Sequence, residues 1–253
     1  MVLDTREIVR DVAFTEVRLN NIDLSKCYFH FQPIFCLKTD MLVMYEVLLR
    51  LDDPRFESIE DLIIELISIG QEDQLTMHTL NALKPYLLST RYAHNTFTIN
   101  LEPAQIASPN VVGIITAFFL AYGIERSRII FEITERPCSK ESFAALTVNT
   151  NLMAAKGYRF AIDDFGSGVA NFEMLIALDV ELIKLDSMFS IGALNSGMIK
   201  KVLAMASTFK NDFGCRVCIE GVESVELIAL AKHFDFCYGQ GYELGYPGLL
   251  ELE

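Results

Sequence analysis

Arg159-Phe-Ala-Ile-Asp163-Asp164-Phe165-Gly166-Ser167-Gly168 begins as an apolar strand, reaches two adjacent carboxylates, and ends in a glycine-flanked turn. Phe160, Ala161 and Ile162 make a short apolar run of the kind that fills a buried strand. Gly166 and Gly168 permit backbone angles closed to other residues, so the chain can turn sharply beside the acids. A helical pattern over 170–178 follows and completes a strand–loop–helix unit.

The same unit recurs on both sides of this stretch. Apolar, β-branched or aromatic runs predict strands at 28–37, 42–51, 96–101, 129–134, 159–163, 182–186, 216–220 and 236–239. Helical patterns fall at 59–70, 73–89, 109–122, 140–156, 170–178, 196–213 and 223–234. Only the first two strands are joined by a tight turn, Lys38-Thr-Asp, which predicts an antiparallel hairpin at the start. Alternation thereafter predicts a parallel sheet. Eight strands in 253 residues favour an α/β fold of the closed TIM-like (β/α)8 barrel type over an open doubly wound sheet. No G-x-G-x-x-G or G-x-x-x-x-G-K-[ST] loop follows an early strand, which argues against dinucleotide and P-loop folds. Residues 1–24 are expected to form an N-terminal segment or short helix, the stub of a linker included, and residues 25–253 the barrel.

Composition narrows the function classes. With 34 acidic against 21 basic residues the net charge is −13, which argues against binding a nucleic-acid duplex through a general basic surface. A small phosphorylated ligand stays open, because bound cations reverse the local field. The most hydrophobic stretch, 111–121, is half the length a membrane span needs and predicts a buried helix, with no membrane insertion. The six cysteines are scattered. Cys215 and Cys218 form a C-x-x-C inside a predicted strand, where residues three apart face opposite ways, so packing is favoured over ligation. Reduced thiols and an N-terminus carrying Asp4, Arg6, Glu7 and Asp11 point to the cytoplasm.

The polar residues fall at the strand ends. Glu46, Asn100, Glu132, Asp163, Asp164, Lys184, Glu220 and Gln240 each lie at or near the C-terminal end of a predicted strand, the end where barrel enzymes build active sites. One lysine cannot neutralise five converging acids, and buried like charges cost several kcal/mol apiece unless paired or metal-bound. Carboxylate and amide oxygens without histidine favour Mg2+ or Mn2+ over zinc. Asp163 and Asp164 suit two divalent cations, roughly 3.5–4 Å apart, that stabilise attacking and leaving oxygens of a phosphoryl displacement. Lys184 either orients or deprotonates the attacking water or forms a salt bridge to one acid. Glu135 either accepts hydrogen bonds from the glycine loop or is a solvated surface acid.

Taken in order, the motifs resemble the EAL family of cyclic-di-GMP phosphodiesterases over 25–250. They are Gln32-Pro-Ile, Glu46-Val-Leu-Leu-Arg50, Ile99-Asn100-Leu, Phe131-Glu-Ile-Thr-Glu135, Asp163-Asp-Phe-Gly-Ser-Gly168, Ile183-Lys-Leu-Asp186, Glu220-Gly-Val-Glu223 and Gln240-Gly-Tyr. The resemblance implies a TIM-like barrel with one antiparallel strand near its start, and metal-dependent hydrolysis of cyclic-di-GMP to linear pGpG. It implies that Glu46, Asn100, Glu132 and Asp163 hold one cation, and that Asp163, Asp164 and Glu220 hold another. Lys184 would contact the attacking water, Glu135 would steady the loop and Gln240 would order the site. Gln32, Arg50 and Asp186 would touch substrate, Arg50 as a phosphate partner and Asp186 at a guanine edge. The resemblance also implies a homodimer. Three departures stand out: Val47 replaces the alanine of Glu-Ala-Leu, Ser187 a frequent basic residue, and Tyr246 the arginine of Gly-Arg-Pro. The last two bear on guanine binding and none removes a ligand. The alternative is a weak or inactive member that acts as a cyclic-di-GMP receptor or protein-interaction module.

Overall fold

A computed structural model describes residues 22–134, 136–168 and 171–252, so Glu135 and most of the expected N-terminal segment fall outside the described residues. Eight strands close into a barrel in chain order. They are β1 (Cys27–Cys36), β2 (Met41–Leu51), β3 (Thr96–Leu101), β4 (Ile129–Ile133), β5 (Arg159–Phe165), β6 (Leu182–Leu185), β7 (Arg216–Ile219) and β8 (Tyr238–Gly239). β1 runs antiparallel to both β2 and β8, and every other neighbouring pair is parallel. The hairpin turns where expected, with Asp40 at φ 55° and its N–H donating to the Cys36 carbonyl at 2.8 Å.

The helices are α1 (Ile59–Ser68), α2 (Glu72–Leu88), α3 (Pro103–Ala107), α4 (Val111–Tyr122), α5 (Lys140–Ala154), α6 (Asn171–Ala177), α7 (Ser187–Ala193), α8 (Gly197–Ala206), α9 (Phe209–Asp212) and α10 (Val225–His233). Ser58 caps α1 by accepting the Asp61 N–H, and Leu62 and Leu66 supply its buried stripe. The apolar α4 buries one face through Val111, Ile115, Phe118 and Phe119 and leaves Leu120 exposed; Gly123 ends it at φ 63°. Among the described residues no helix is long and apolar enough to cross a membrane.

One helical expectation needs correction, and two short helices were not expected. The stretch 196–213 is two helices, because the Ser207 and Thr208 hydroxyls bond back to the Ala204 and Met205 carbonyls at the break. Helix α3 was hidden by its five-residue length and starts at Glu102, whose N–H donates to Gln105 Oε1 at 3.0 Å. Helix α7 follows Asp186, whose carboxylate accepts the Met188 N–H at 2.7 Å.

Strand alternation sorts the barrel's core into an outer and an inner compartment, and a third, smaller cluster of Ile22, Cys27, Leu62, Leu66 and Leu75 lies under α1. Phe97, Ile99, Phe131, Phe160, Ile183 and Ile219 pack with Ile106, Ile115, Leu146 and Leu203 of the surrounding helices. Ile34, Met44, Ile130, Ala161, Leu182 and Cys218 form a separate cluster, with Tyr238 against it, that plugs the barrel interior. Cys215 joins the first compartment and Cys218 the second, so the C-x-x-C is divided between two faces and both thiols are free.

Candidate metal centre at the barrel mouth

One step of alternation above the interior plug changes the chemistry on seven of the eight strands. Moving two residues toward the mouth leads from Ile34 to Gln32, Met44 to Glu46, Ile130 to Glu132, and Ala161 to Asp163. The same step leads from Leu182 to Lys184, Cys218 to Glu220, and Tyr238 to Gln240; Asn100 takes the place on β3, two residues after the buried Thr98. Eight polar side chains, one per strand, therefore lie over an apolar floor. β1 fits by running backwards, and its register pairs Gln32 with Glu46.

Asp164 breaks the alternation. A regular strand would send it to the opposite face from Asp163. The β5–β6 register shifts between Ile162 and Phe165, and Asp164 sits at φ 49°. This bulge re-aims the side chain, so that Asp163, Asp164 and Glu220 bring carboxylate oxygens within 4.8 Å of one another. Glu46, Glu132 and Asp163 do likewise. Asp163 belongs to both groups. The strand also continues to Phe165, beyond the end expected at Asp163.

Lys184 is the cation at the centre. Its Nζ lies 2.8 Å from Glu220 Oε1, 2.9 Å from Asp163 Oδ1, 3.1 Å from Glu132 Oε2 and 3.3 Å from Glu46 Oε2. The side chain is 1% exposed. Burial penalises its ammonium, but the surrounding carboxylates outweigh that penalty and hold the pKa well above the ordinary value. The lysine is thus a salt-bridging ammonium in this state, one of the two roles its sequence position left open.

The acids divide. Burial opposes the Glu46 carboxylate, yet Lys184 and hydrogen bonds from Gln240 and Asn100 bring its pKa below the ordinary range. Burial dominates elsewhere: it raises Asp163, raises Glu132 strongly, and pushes Glu220 up to about 8. Asp164 rises to about 6 through desolvation and then the charge of Asp163. Those groups resist ionisation because one ammonium is too little positive charge for five carboxylates.

The amides set orientation. Asn100 Nδ2 donates to Glu46 Oε1 at 3.1 Å, and Gln240 Nε2 donates to Gln32 Oε1 at 3.0 Å and also to Glu46 Oε2. Gln32 Nε2 reaches the Gly245 carbonyl at 3.3 Å. These bonds leave Asn100 Oδ1, Glu132 Oε1 and Gln240 Oε1 buried without a hydrogen-bond donor, and Asp163 Oδ1 meets its ammonium outside hydrogen-bonding geometry. Orphaned acceptors of that kind are rare in native proteins, and Glu132 and Asp163 belong to the acidic clusters. Hard oxygen ligands, surplus negative charge and unpaired acceptors fit divalent cations.

Two further sequence-predicted residues, Arg50 and Asp186, bond to neighbouring backbone groups. Arg50 shares the β2 face of Glu46 and donates to the Leu49 carbonyl at 2.9 Å. Asp186 commits one carboxylate oxygen to capping α7. Glu135 lies outside the described residues. Tyr246 stacks on Tyr242, ring centroids 4.7 Å apart and 15° from parallel. Several supports were not assigned a role from the sequence. Ser190 donates to the Glu220 carbonyl, Gly241 lies against the Val222 backbone, and Glu102 anchors Thr134 and Arg136.

Fold and mouth together define a (β/α)8-type barrel protein with a carboxylate-rich centre. The chain belongs to the EAL domain family, whose model matches residues 17–247. Among curated relatives it is 30% identical over 151 residues to the probable cyclic di-GMP phosphodiesterase PdeA of Escherichia coli K12, covering 60% of this chain and 21% of that protein. It spans 21–32% of the length of three such relatives. Among solved structures it resembles the complex of the PaMucR phosphodiesterase with c-di-GMP, with TM-score 0.78, 21% identity and coverage of 88% and 92% of the two chains. The Klebsiella pneumoniae BlrP1 manganese/cy-diGMP complex matches with TM-score 0.71, 24% identity and coverage of 91% and 57%.

Proposed function

We propose that residues 25–253 form a phosphodiesterase barrel that hydrolyses one phosphodiester bond of cyclic-di-GMP to linear pGpG, with 1–24 as an N-terminal segment. The observation that carries this reading is the pair of carboxylate clusters joined through Asp163. Glu46, Asn100, Glu132 and Asp163 would hold one divalent cation, and Asp163, Asp164 and Glu220 the other, as Mg2+ or Mn2+. When bound, the cations polarise the phosphoryl oxygens and offset the charge that builds up in an in-line displacement.

The protein's own groups supply the rest. Lys184, an ammonium in the cation-free protein, would orient the attacking water and fix its approach. Gln240 and Asn100 lock the Glu46 carboxylate, so the ligand does not rotate during the reaction. Arg50 and Gln32 would bind substrate, Arg50 through phosphate, and Asp186 would present its remaining oxygen to a base. Glu135 steadies the glycine loop. Exposed Phe172, Ile176, Ile191 and Met198 on the helices after that loop support a homodimer, and six free thiols support a cytoplasmic setting.

The test is hydrolysis of cyclic-di-GMP with Mg2+ or Mn2+ by wild type and Glu46→Ala. Linear product from wild type alone supports the reading. Tight binding without product at any cation concentration would replace it with a receptor. Ca2+ is expected to support binding with poor turnover, since its looser coordination suits in-line geometry badly.

A further inference from the structure

Outside the eight-residue layer, a buried polar network lies behind the tops of β3 and β4. Glu102 follows β3 and is two residues beyond Asn100; its side chain is 5% exposed. Its Oε2 accepts from Arg136 Nε at 2.7 Å and from Thr134 Oγ1 at 3.1 Å. Thr134 and Arg136 lie two and four residues beyond Glu132. Arg136 Nη1 reaches Glu60 Oε1 of α1 at 2.8 Å. On the other side, Gln105 accepts the Glu102 N–H and donates Nε2 to Thr76 Oγ1 of α2 at 2.8 Å.

This network joins the loops that follow β2, β3 and β4. Two of those strands carry Asn100 and Glu132, the residues whose Oδ1 and Oε1 are left without donors. A carboxylate that deep is stable only when paired and hydrogen-bonded, so its partners are held in one geometry. Arginine suits the place because its planar fork addresses Glu102 and Glu60 at once.

We propose that Arg136, through Glu102, is a positioning residue that fixes the spacing of Asn100 and Glu132 for divalent-cation binding. This rests on the reading of the mouth as a cation site. Arg136 itself is one-third exposed and touches neither cluster, so its effect is transmitted through the loop ends. Lysine can replace the charge but not the two-carboxylate grip.

Mn2+ titration calorimetry on wild type, Arg136→Ala, Arg136→Lys and Glu102→Gln tests the idea, with thermal denaturation of each in chelator. Arg136→Ala is expected to weaken Mn2+ binding by about ten- to a hundredfold, the range for lost outer partners of metal ligands. Arg136→Lys should recover part of that loss, and Glu102→Gln combined with Arg136→Ala should bind no worse than the weaker single variant. Wild-type Mn2+ affinity in Arg136→Ala, with only a lowered melting temperature, would overturn the proposal in favour of a structural brace. If Arg136→Ala does not fold, unchanged affinity in Arg136→Lys and Glu102→Gln would overturn it equally. Mn2+ binding by wild type without hydrolysis would defeat the enzymatic reading alone, and no Mn2+ binding by wild type would defeat both.

Discussion

Lys184 Nζ lies 3.1 Å from Glu132 Oε2, while Glu132 Oε1 meets no hydrogen-bond donor among the described residues. A single ammonium thus serves one side of the most deeply buried acid and leaves the other side open. Removing the ammonium removes the centre's only described cationic partner. Lys184→Met is expected to destabilise the cation-free protein by about 3–5 kcal/mol, the cost of breaking a buried pair on one side. Mn2+ should restore much of that loss, because divalent charge replaces what the lysine supplied. Hydrolysis should stay at least about a hundredfold down even in the restored protein, the low end for losing a group that handles a proton. Urea denaturation with chelator or Mn2+ checks the first part. A variant as stable as wild type in chelator would contradict it.

The raised acids give a pH signature with a definite sign. Glu220 and Asp164 ionise in the folded, cation-free protein near about 8 and about 6, above their ordinary values. Between the ordinary carboxylate range and pH 8 the folded state therefore holds more protons than the unfolded one, and stability falls as pH rises through that window. Cations compete with those protons, so Mn2+ affinity should climb over pH 6–8 and binding should release protons. Melting temperatures in chelator at pH 5 and pH 8, with calorimetry in two buffers of different ionisation enthalpy, measure both effects. Flat affinity across the window would count against these carboxylates as ligands.

Much of this centre is legible in the sequence because strand alternation is a simple rule. Glu46, Glu132 and Asp163 each stand two residues after an inward apolar residue, so a polar residue at a strand end signals the mouth directly. Asp164 is legible as chemistry but not as geometry. Only the bulge and its φ of 49° bring it to the same side as Asp163. Glu102 and Arg136 come from segments just beyond strands and Ser190 from a helix of under two turns, and their roles arise from contacts over 30 residues or more or from a local helix start. Short helices such as Ser187–Ala193 escape pattern reading because fewer than two turns show no repeat.

The bulge makes Asp164 separable from its own charge. Asparagine tolerates left-handed angles about as readily as aspartate, whereas alanine at φ 49° costs roughly 1–2 kcal/mol. Asp164→Asn should therefore fold with near wild-type stability while weakening cation binding at the Asp163–Asp164–Glu220 cluster. Asp164→Ala should show the same binding loss with added destabilisation. Electron paramagnetic titration of Mn2+ stoichiometry, with denaturant melts of both variants, distinguishes charge from backbone. Unchanged stoichiometry in Asp164→Asn would remove Asp164 from the ligand set.

Gly241 tests how the last two members of the polar layer are held together. Glu220 precedes Val222 by two residues, Gln240 immediately precedes Gly241, and the Val222 N–H donates to the Gln240 carbonyl at 3.0 Å. A Cβ at position 241 would stand 2.2 Å from the Val222 nitrogen and 2.3 Å from its carbonyl oxygen. Both are backbone atoms and no rotamer change relieves them. Gly241→Ala must push the β7 and β8 ends apart, with a cost of about 1–3 kcal/mol by the measure of overpacked sites. The displacement moves Gln240 away from Glu46 and Glu220 away from Lys184, so Mn2+ affinity and hydrolysis should fall together. Denaturant melts, Mn2+ titration and initial rates on the purified variant read the three quantities. A variant with wild-type rates despite lowered stability would show that the site tolerates movement at this joint.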